Sequence, residues 1–248
     1  NFSYPDWFQS SSHKNTGATD KIWLSWLIIF SFVITYWLLN VIILPLIFLL
    51  PAFLFDASIG TVWFLLLLAQ FFIIPVILTF IYLDGSLHRT LDMLRFGNIK
   101  RALILIIAIP IIVLIIDNII TIVYAYFYFG LFGEPSIDTD LGVNTGSNFF
   151  EILMVFLVVA VLGPITEELM FRGYILDSIQ RIHGNKVAVI ASSILFGLSH
   201  ILSGLFVVGL ALLGGLIYGS VRVKTDSLLP CIASHMIWNA FALIVTYL

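Results

Sequence analysis

The chain has 248 residues, of which 61% are hydrophobic and only 10% are charged. Soluble globular domains contain about 45–50% apolar and about 25% charged residues, so this composition excludes that class. The formal net charge of −3 says little about function, and we expect no nucleic-acid partner. The single cysteine, Cys231, excludes an internal disulfide framework.

The apolar segments are long and do not alternate with polar residues, a pattern that favours membrane-spanning α-helices over a β-barrel. Since a span needs about 20 residues, the sequence predicts an all-α, polytopic transmembrane bundle of about seven spans, or eight if the full chain continues. A polar N-terminal tail, 1–21, precedes a single transmembrane domain, 22–248. The first span contains an asparagine and two prolines, and we interpret it as one long kinked helix in preference to a span followed by a re-entrant piece. The predicted spans are 22–55, 61–83, 102–129, 149–180, 187–202, 205–221 and 228–248.

Between the second and third spans, segment 84–101 interleaves leucines with basic residues. This pattern predicts an amphipathic piece on the membrane surface, where its cations contact lipid head groups. The third span carries Asp117 and Asn118 at its centre, for which we expect a buried hydrogen bond between helices. Glycines recur in the sixth span, which suits close helix packing.

The cations indicate an orientation. Ten of the eleven lysines and arginines lie in four places: the N-terminal tail, 84–101, 181–186 and 222–224. Seven spans put all four places on one side of the membrane and the acidic loop 130–148 on the other. Because cytoplasmic loops are enriched in Lys and Arg, we predict a cytosolic N-terminus.

The stretch 161–173 places two adjacent glutamates and an arginine inside an apolar run, where unpaired charge is expensive. Glu168 and Arg172 are four residues apart, so they share a helix face and can form an ion pair. Glu167 lies about 100° round the helix and has no cationic partner nearby in sequence. We therefore expect Glu168 to be structural and Glu167 to be available for chemistry; the alternative is that all three charges only bind helices together.

Other polar groups lie at a matching depth. At about 1.5 Å rise per residue, Glu167 and His200 each lie roughly 20 Å from the cytosolic end of their helices. His235 and Asn239 lie roughly 10–17 Å into the last span from the same end. Polar groups at matched depth in lipid normally face one interior cavity, so we predict an intramembrane polar cavity in the cytosolic half.

Nucleophilic side chains offer weaker interpretations. Cys231 precedes His235 by four residues, but cysteine is commonly a small buried residue. Ser199 adjoins His200, but it lacks the strained turn that presents a serine nucleophile.

Three motifs in this order resemble the CAAX-protease and bacteriocin-processing (CPBP) family of intramembrane proteases, also called Abi. They are Glu167-Glu168-x-x-x-Arg172, Phe196-x-x-x-His200 and His235-x-x-x-Asn239. The resemblance covers residues 149–243, which we take as the catalytic core.

This resemblance implies a glutamate-dependent endopeptidase. Glu167 and His200 would hold and deprotonate the attacking water, and His235 and Asn239 would stabilise the oxyanion. Structural support of the site would come from Glu168, Arg172 and Phe196. The physical chemistry agrees, since water needs a general base and a dry site strengthens donors aimed at an oxyanion.

Competing interpretations remain. Glutamate with two histidines could hold zinc, although no His-Glu-x-x-His motif is present and we expect no cofactor or metal. A non-catalytic membrane scaffold or immunity protein is the alternative outside enzymes. The expected partners are the lipid bilayer and a membrane-associated peptide or lipidated protein substrate. We expect a multi-pass protein of a prokaryotic cell membrane, with its site open to the cytosolic side.

Overall fold

The computed structural model describes residues 17–54, 57–83, 85–135 and 146–247, which form helices and turns and include no β-strand. Helix α1 consists of three consecutive segments, Gly17–Leu38, a π-helical turn at Leu39–Ile43, and Leu44–Leu54. Helix α2 is Ile59–Leu83, α3 is Leu87–Met93 and α4 is Ile99–Phe132. The stretch Phe149–Ser199 contains α5 and α6, which meet at Gly184. A 3₁₀ turn at Ile201–Ser203 leads to α7, Leu205–Thr225, and then to α8, Leu229–Tyr247.

Within these described ranges, five helical stretches are long and apolar enough to cross a membrane: Ile59–Leu83, Ile99–Phe132, Phe149–Ser199, Leu205–Thr225 and Leu229–Thr246. The third of them comprises both α5 and α6, and α1 contributes a shorter apolar stretch, Ser25–Leu38. In the described part of the chain, five helical stretches could thus span a membrane, and the predicted all-α transmembrane class is confirmed.

The boundary between α5 and α6 differs from the prediction. Residues 181–186 were expected to form a basic loop, but the helix is broken at a single residue, Gly184, with φ 77° and ψ 178°. Glycine adopts this positive φ without the clash that a Cβ would cause, so one residue is enough to separate two helices.

The first helix confirms one expectation and corrects another. It is a single long helix that passes through a π-helical turn, as predicted for an interrupted span. It begins at Gly17, however, inside the segment interpreted as a tail, while residues 1–16 lie outside the described part.

One face of α2 contributes a row of apolar side chains to the interior of the bundle. Ala69, Ile73, Ile77 and Ile81 are buried and recur every four residues, so they share one helix face. They join a core with residues of α1 and α5, in which the Phe32 ring meets the Tyr174 ring edge-on at 4.8 Å. This packing attaches the first two helices to the helix that carries the adjacent glutamates.

Three contacts bring the cationic segments to one end of the bundle. Trp26 Nε1 on α1 donates to His183 Nε2 at the end of α5, at 3.1 Å. Arg89 on α3 forms a 2.7 Å ion pair with the buried carboxylate of Asp177. The hydroxyl of Ser227, just before α8, donates to the Met93 carbonyl at 3.0 Å. The segment 84–101, expected on the membrane surface, therefore also connects α5 to the start of α8, through Arg89 and Met93.

Small residues permit close contact between α6 and α7, as the glycine pattern of the sixth span predicted. A Cβ built on Gly215 would lie 2.9 Å from Ser193 Cβ, and one on Gly197 would lie 3.0 Å from the Val208 carbonyl oxygen. Helices at this separation hold the cavity side chains of α6 and α7 in fixed register.

We predict that Gly215→Ala lowers the free energy of unfolding by about 1–3 kcal/mol, the usual cost of overpacking, because α6 and α7 must separate. Gly130→Ala in α4 is the control, since its new methyl meets no atom of the described residues within 4 Å. Thermal unfolding in detergent measures both. Equal unfolding temperatures for the two variants would show that the α6–α7 contact is not tight.

Candidate active site

The two adjacent glutamates lie on α5 in a short α-helical stretch, Gly163–Glu168, between π-helical turns at Leu157–Leu162 and Leu169–Ile175. Glu168 Oε1 accepts a hydrogen bond from Arg172 Nη1 at 3.0 Å, and both side chains are buried. The ion pair predicted from the spacing of four residues is confirmed.

His235 connects α8 to both glutamates. Its Nδ1 donates to Glu168 Oε1 at 3.0 Å, and its Nε2 lies 3.7 Å from Glu167 Oε2. The two carboxylates differ in exposure, because the Glu168 side chain is fully buried whereas that of Glu167 is 25% exposed. Glu168 is thus occupied by Arg172 and His235, while Glu167 is partly exposed and, among the described residues, its one ionic contact is the longer one to His235.

Phe196 supplies the aromatic centre of the site. The Arg172 guanidinium carbon lies 4.3 Å from the centroid of the Phe196 ring and 5.6 Å from that of Tyr218, within cation–π range. The Phe196 ring also meets the His200 ring at 4.9 Å and the His235 ring at 5.9 Å, both edge-on. One phenylalanine therefore separates and orients the arginine and both histidines.

His200 ends α6 with a defined hydrogen bond. Its Nδ1 lies 2.9 Å from the Phe196 carbonyl oxygen and 3.2 Å from Ser199 Oγ. A carbonyl oxygen only accepts, so Nδ1 carries the proton in that bond. In neutral His200 the other nitrogen, Nε2, is then an acceptor.

Asn239 supplies a hydrogen bond that the backbone of α5 lacks. In the π-helical turn the Gly163 amide donates to Val158 O, and the next donor in that register would be Pro164, which has no N–H. The Val159 carbonyl instead accepts from Asn239 Nδ2 at 2.9 Å. The proline thus fixes where α8 docks, and the amide nitrogen keeps a second hydrogen for another acceptor.

Three of the four candidate catalytic residues line a cavity of about 190 Å³. His200, His235 and Asn239 line it, as predicted from their depth. Glu167, expected to face the same cavity, is not part of the lining and lies 3.7 Å from His235 Nε2. Helices α4, α6, α7 and α8 supply the walls. The lining residues are Asp117, Thr121, Phe196, His200, Val207, Leu210, Ala211, Gly214, Tyr218, His235, Trp238 and Asn239.

Two of these residues belong to a buried interhelical hydrogen bond. Tyr218 on α7 donates to Asp117 Oδ2 on α4 at 2.8 Å, which confirms the kind of contact expected for Asp117. Asn118 instead donates to Leu114 O of its own helix, at 2.8 Å. Tyr218 was not singled out from the sequence, where nothing distinguishes it from the other tyrosines of the apolar spans.

The weaker candidates have other partners. Cys231 Sγ donates to the Tyr218 carbonyl at 3.3 Å, and the Ser199 hydroxyl donates to the Phe196 carbonyl at 2.7 Å. In the described part of the chain, no three His, Cys, Asp or Glu side chains are grouped so that they could hold a metal ion. The zinc interpretation therefore gains no support from the donor geometry.

Residues 149–241 match the family model described as type II CAAX prenyl endopeptidase Rce1-like. This is the CPBP family of CAAX-type proteases, so the resemblance carried by the three motifs is confirmed over that region. No curated protein and no solved structure matches the chain.

We predict that Glu168→Gln destabilises the protein by about 3–5 kcal/mol, the usual cost of breaking a buried ion pair, because the Arg172 guanidinium is left without its carboxylate. The double variant Glu168→Gln with Arg172→Met should recover part of this loss, since it removes the stranded charge. Thermal unfolding in detergent provides the measurement.

Arg95→Met is the matched control for this prediction. It removes an exposed pair with Asp92, whose side chains are 76% and 56% exposed, and should cost less than about 1 kcal/mol. A double variant no more stable than Glu168→Gln would contradict the idea that the stranded guanidinium causes the loss.

Proposed function

We propose that the chain is a glutamate-dependent endopeptidase of the CPBP family of intramembrane proteases, whose model residues 149–241 match, and that its attacking water is activated by Glu167 and His200. The observation that carries this proposal is the unequal environment of the adjacent glutamates. Glu168 is fully buried against Arg172 and His235, and this leaves Glu167, 25% exposed beside a polar cavity, as the carboxylate able to meet water.

The space between Glu167 and His235 suits a bound water. Glu167 Oε2 and His235 Nε2 are 3.7 Å apart, so a water about 2.8 Å from each atom fits beside them. Glu167 accepts a proton from that water as its oxygen attacks the scissile carbonyl carbon. His200 contributes the acceptor at Nε2, because its Nδ1–H is engaged by the Phe196 carbonyl.

The oxyanion formed in this step needs donors. In its doubly protonated form His235 donates at Nδ1 to Glu168 and presents Nε2–H to the developing charge. Asn239 offers the amide hydrogen that Val159 does not use. Preorganised donors of this kind are worth about 2.7–4 kcal/mol each in a water-poor site.

The intermediate collapses when the carbonyl re-forms and the C–N bond breaks. The proton held by Glu167 passes to the leaving amine, so the water supplies one oxygen to the new carboxyl group and one hydrogen to the new amino group. No side chain forms a covalent bond with the substrate, consistent with the engagement of Cys231 and Ser199 in backbone hydrogen bonds.

The substrate class follows from the location of the site. A cavity bounded by membrane helices is accessible to a membrane-associated peptide or a lipidated protein, as in CAAX-type or precursor processing. The contacts that gather the cationic segments at one end support a site reached from the cytosolic side of a prokaryotic membrane.

We predict that Glu167→Gln reduces cleavage by at least about 10²–10⁴-fold, the usual contribution of a general base, while the protein stays folded. The assay compares C-terminal peptide products in membranes of cells that produce the wild type or the variant, read by mass spectrometry. Thermal unfolding of the purified variant verifies its fold.

Glu134→Gln serves as the matched control, because it neutralises an exposed carboxylate beyond the end of α4. Its product pattern should equal that of the wild type. If Glu167→Gln yields the same cleavage products as the wild type, Glu167 is not the general base. If the wild type itself yields no cleavage products, the non-catalytic scaffold is favoured.

A second prediction separates this mechanism from zinc catalysis. Proteolysis by the purified protein should persist after dialysis against a strong chelator, because the proposed base and donors are protein groups. Activity lost to the chelator and restored by zinc alone would replace the glutamate–water mechanism with a metal-dependent one.

A further inference from the structure

Asp117 is a carboxylate of the cavity wall that the proposed reaction does not use. It lies on α4, is 6% exposed, and accepts a hydrogen bond from Tyr218 at Oδ2. Among the described residues, its other oxygen, Oδ1, has no hydrogen-bond partner, and no Lys, Arg or His lies within ion-pair distance of the side chain, although the charge of His235 acts on it from farther away. The side chain lines the same cavity as His235.

A purely structural role does not require this carboxylate. The Tyr218 hydroxyl needs one acceptor, which an asparagine oxygen would supply without the cost of burying a charge. A buried carboxylate becomes favourable when a cation approaches it with good geometry. Asp117 is therefore suited to a positively charged group that enters the cavity.

The rest of the lining suits the same kind of group. Three aromatic rings, those of Phe196, Tyr218 and Trp238, face the cavity, and aromatic faces attract ammonium and guanidinium ions. The cavity volume of about 190 Å³ is many times the roughly 10–15 Å³ of cavity space that one water needs, so it can admit a long side chain.

We propose that Asp117 is a specificity-determining residue that receives a lysine or arginine side chain of the peptide substrate. This inference rests on the proposed function, since it takes the cavity as the place where the peptide lies. The Asp117 carboxylate pairs with the cation, the aromatic rings flank it, and the scissile bond is held beside Glu167 and His235. The same carboxylate repels an acidic side chain at that position.

The test measures binding apart from cleavage. Terminally blocked peptides that differ only in a central lysine, norleucine or glutamate are titrated against the Glu167→Gln protein in detergent, with affinity read by calorimetry. We expect the lysine peptide to bind about tenfold or more tightly than the norleucine peptide, which has the same length without the charge, and the glutamate peptide to bind most weakly.

Two variants of Asp117 identify the source of the preference. Asp117→Asn keeps an acceptor for Tyr218 but should abolish the lysine preference, whereas Asp117→Glu restores the charge and should recover part of it. Asp92→Asn, at an exposed residue of α3, is the matched control and should leave the preference intact. If Asp117→Asn fails to fold, the peptide series on the Glu167→Gln protein and on Asp117→Glu still decides.

Equal affinity for lysine and norleucine peptides, or a preference that survives in Asp117→Asn, overturns the proposal. Membrane-tethered versions of the same peptides, presented to the wild type, separate the two inferences. Cleavage without a lysine preference removes the role of Asp117 and keeps the protease. A binding preference without any cleavage keeps the cation site and removes the protease.

Discussion

One oxygen atom of Glu168 organises the site. Oε1 lies 3.0 Å from both Arg172 Nη1 and His235 Nδ1, so a single buried carboxylate joins consecutive turns of α5 to α8. An ionised carboxylate without these partners would be prohibitively costly in the membrane interior. The requirement to pair Glu168 therefore fixes the rotation of α8, and this rotation brings the other imidazole nitrogen toward Glu167.

The arrangement is not the most stable one for these groups. Within the described residues, Glu168 Oε2 and the Arg172 atoms Nε and Nη2 are buried without hydrogen-bond partners. Part of the guanidinium instead lies over the Phe196 ring, a weaker interaction than a second carboxylate bond would provide. A buried ion pair of this kind contributes position more than stability, and here it positions the histidine between two carboxylates.

The sequence was sufficient to predict which residues lie together when the prediction needed only their helical spacing and their depth in the membrane. Four-residue spacing predicted the Glu168–Arg172 pair, because spacing is insensitive to small errors in helix boundaries. Depth predicted one cavity for Glu167, His200, His235 and Asn239, and the last three of these residues line it. The break at Gly184 and the Asn239–Val159 bond were not predictable, since each depends on the local backbone: a single positive φ in one case and a π-helical turn before Pro164 in the other. The hydrogen-bond partner of Asp117 depends on how α4 and α7 are rotated relative to each other, and this rotation cannot be inferred from a single sequence.

The walls of the cavity divide between two parts of the chain. The four candidate catalytic residues all lie within 149–241, the region that matches the protease family. Asp117 and Thr121 come from α4, outside that region, and complete the cavity from the opposite side. One fold can serve several functions, so a wall supplied from outside the matched region can change without disturbing the candidate catalytic residues. The attachment of this wall is nevertheless rigid, because the 2.8 Å bond from Tyr218 to Asp117 joins it to a ring that also packs against His235 at 5.5 Å. A group bound at Asp117 is thereby held at a fixed distance from the imidazole next to Glu167.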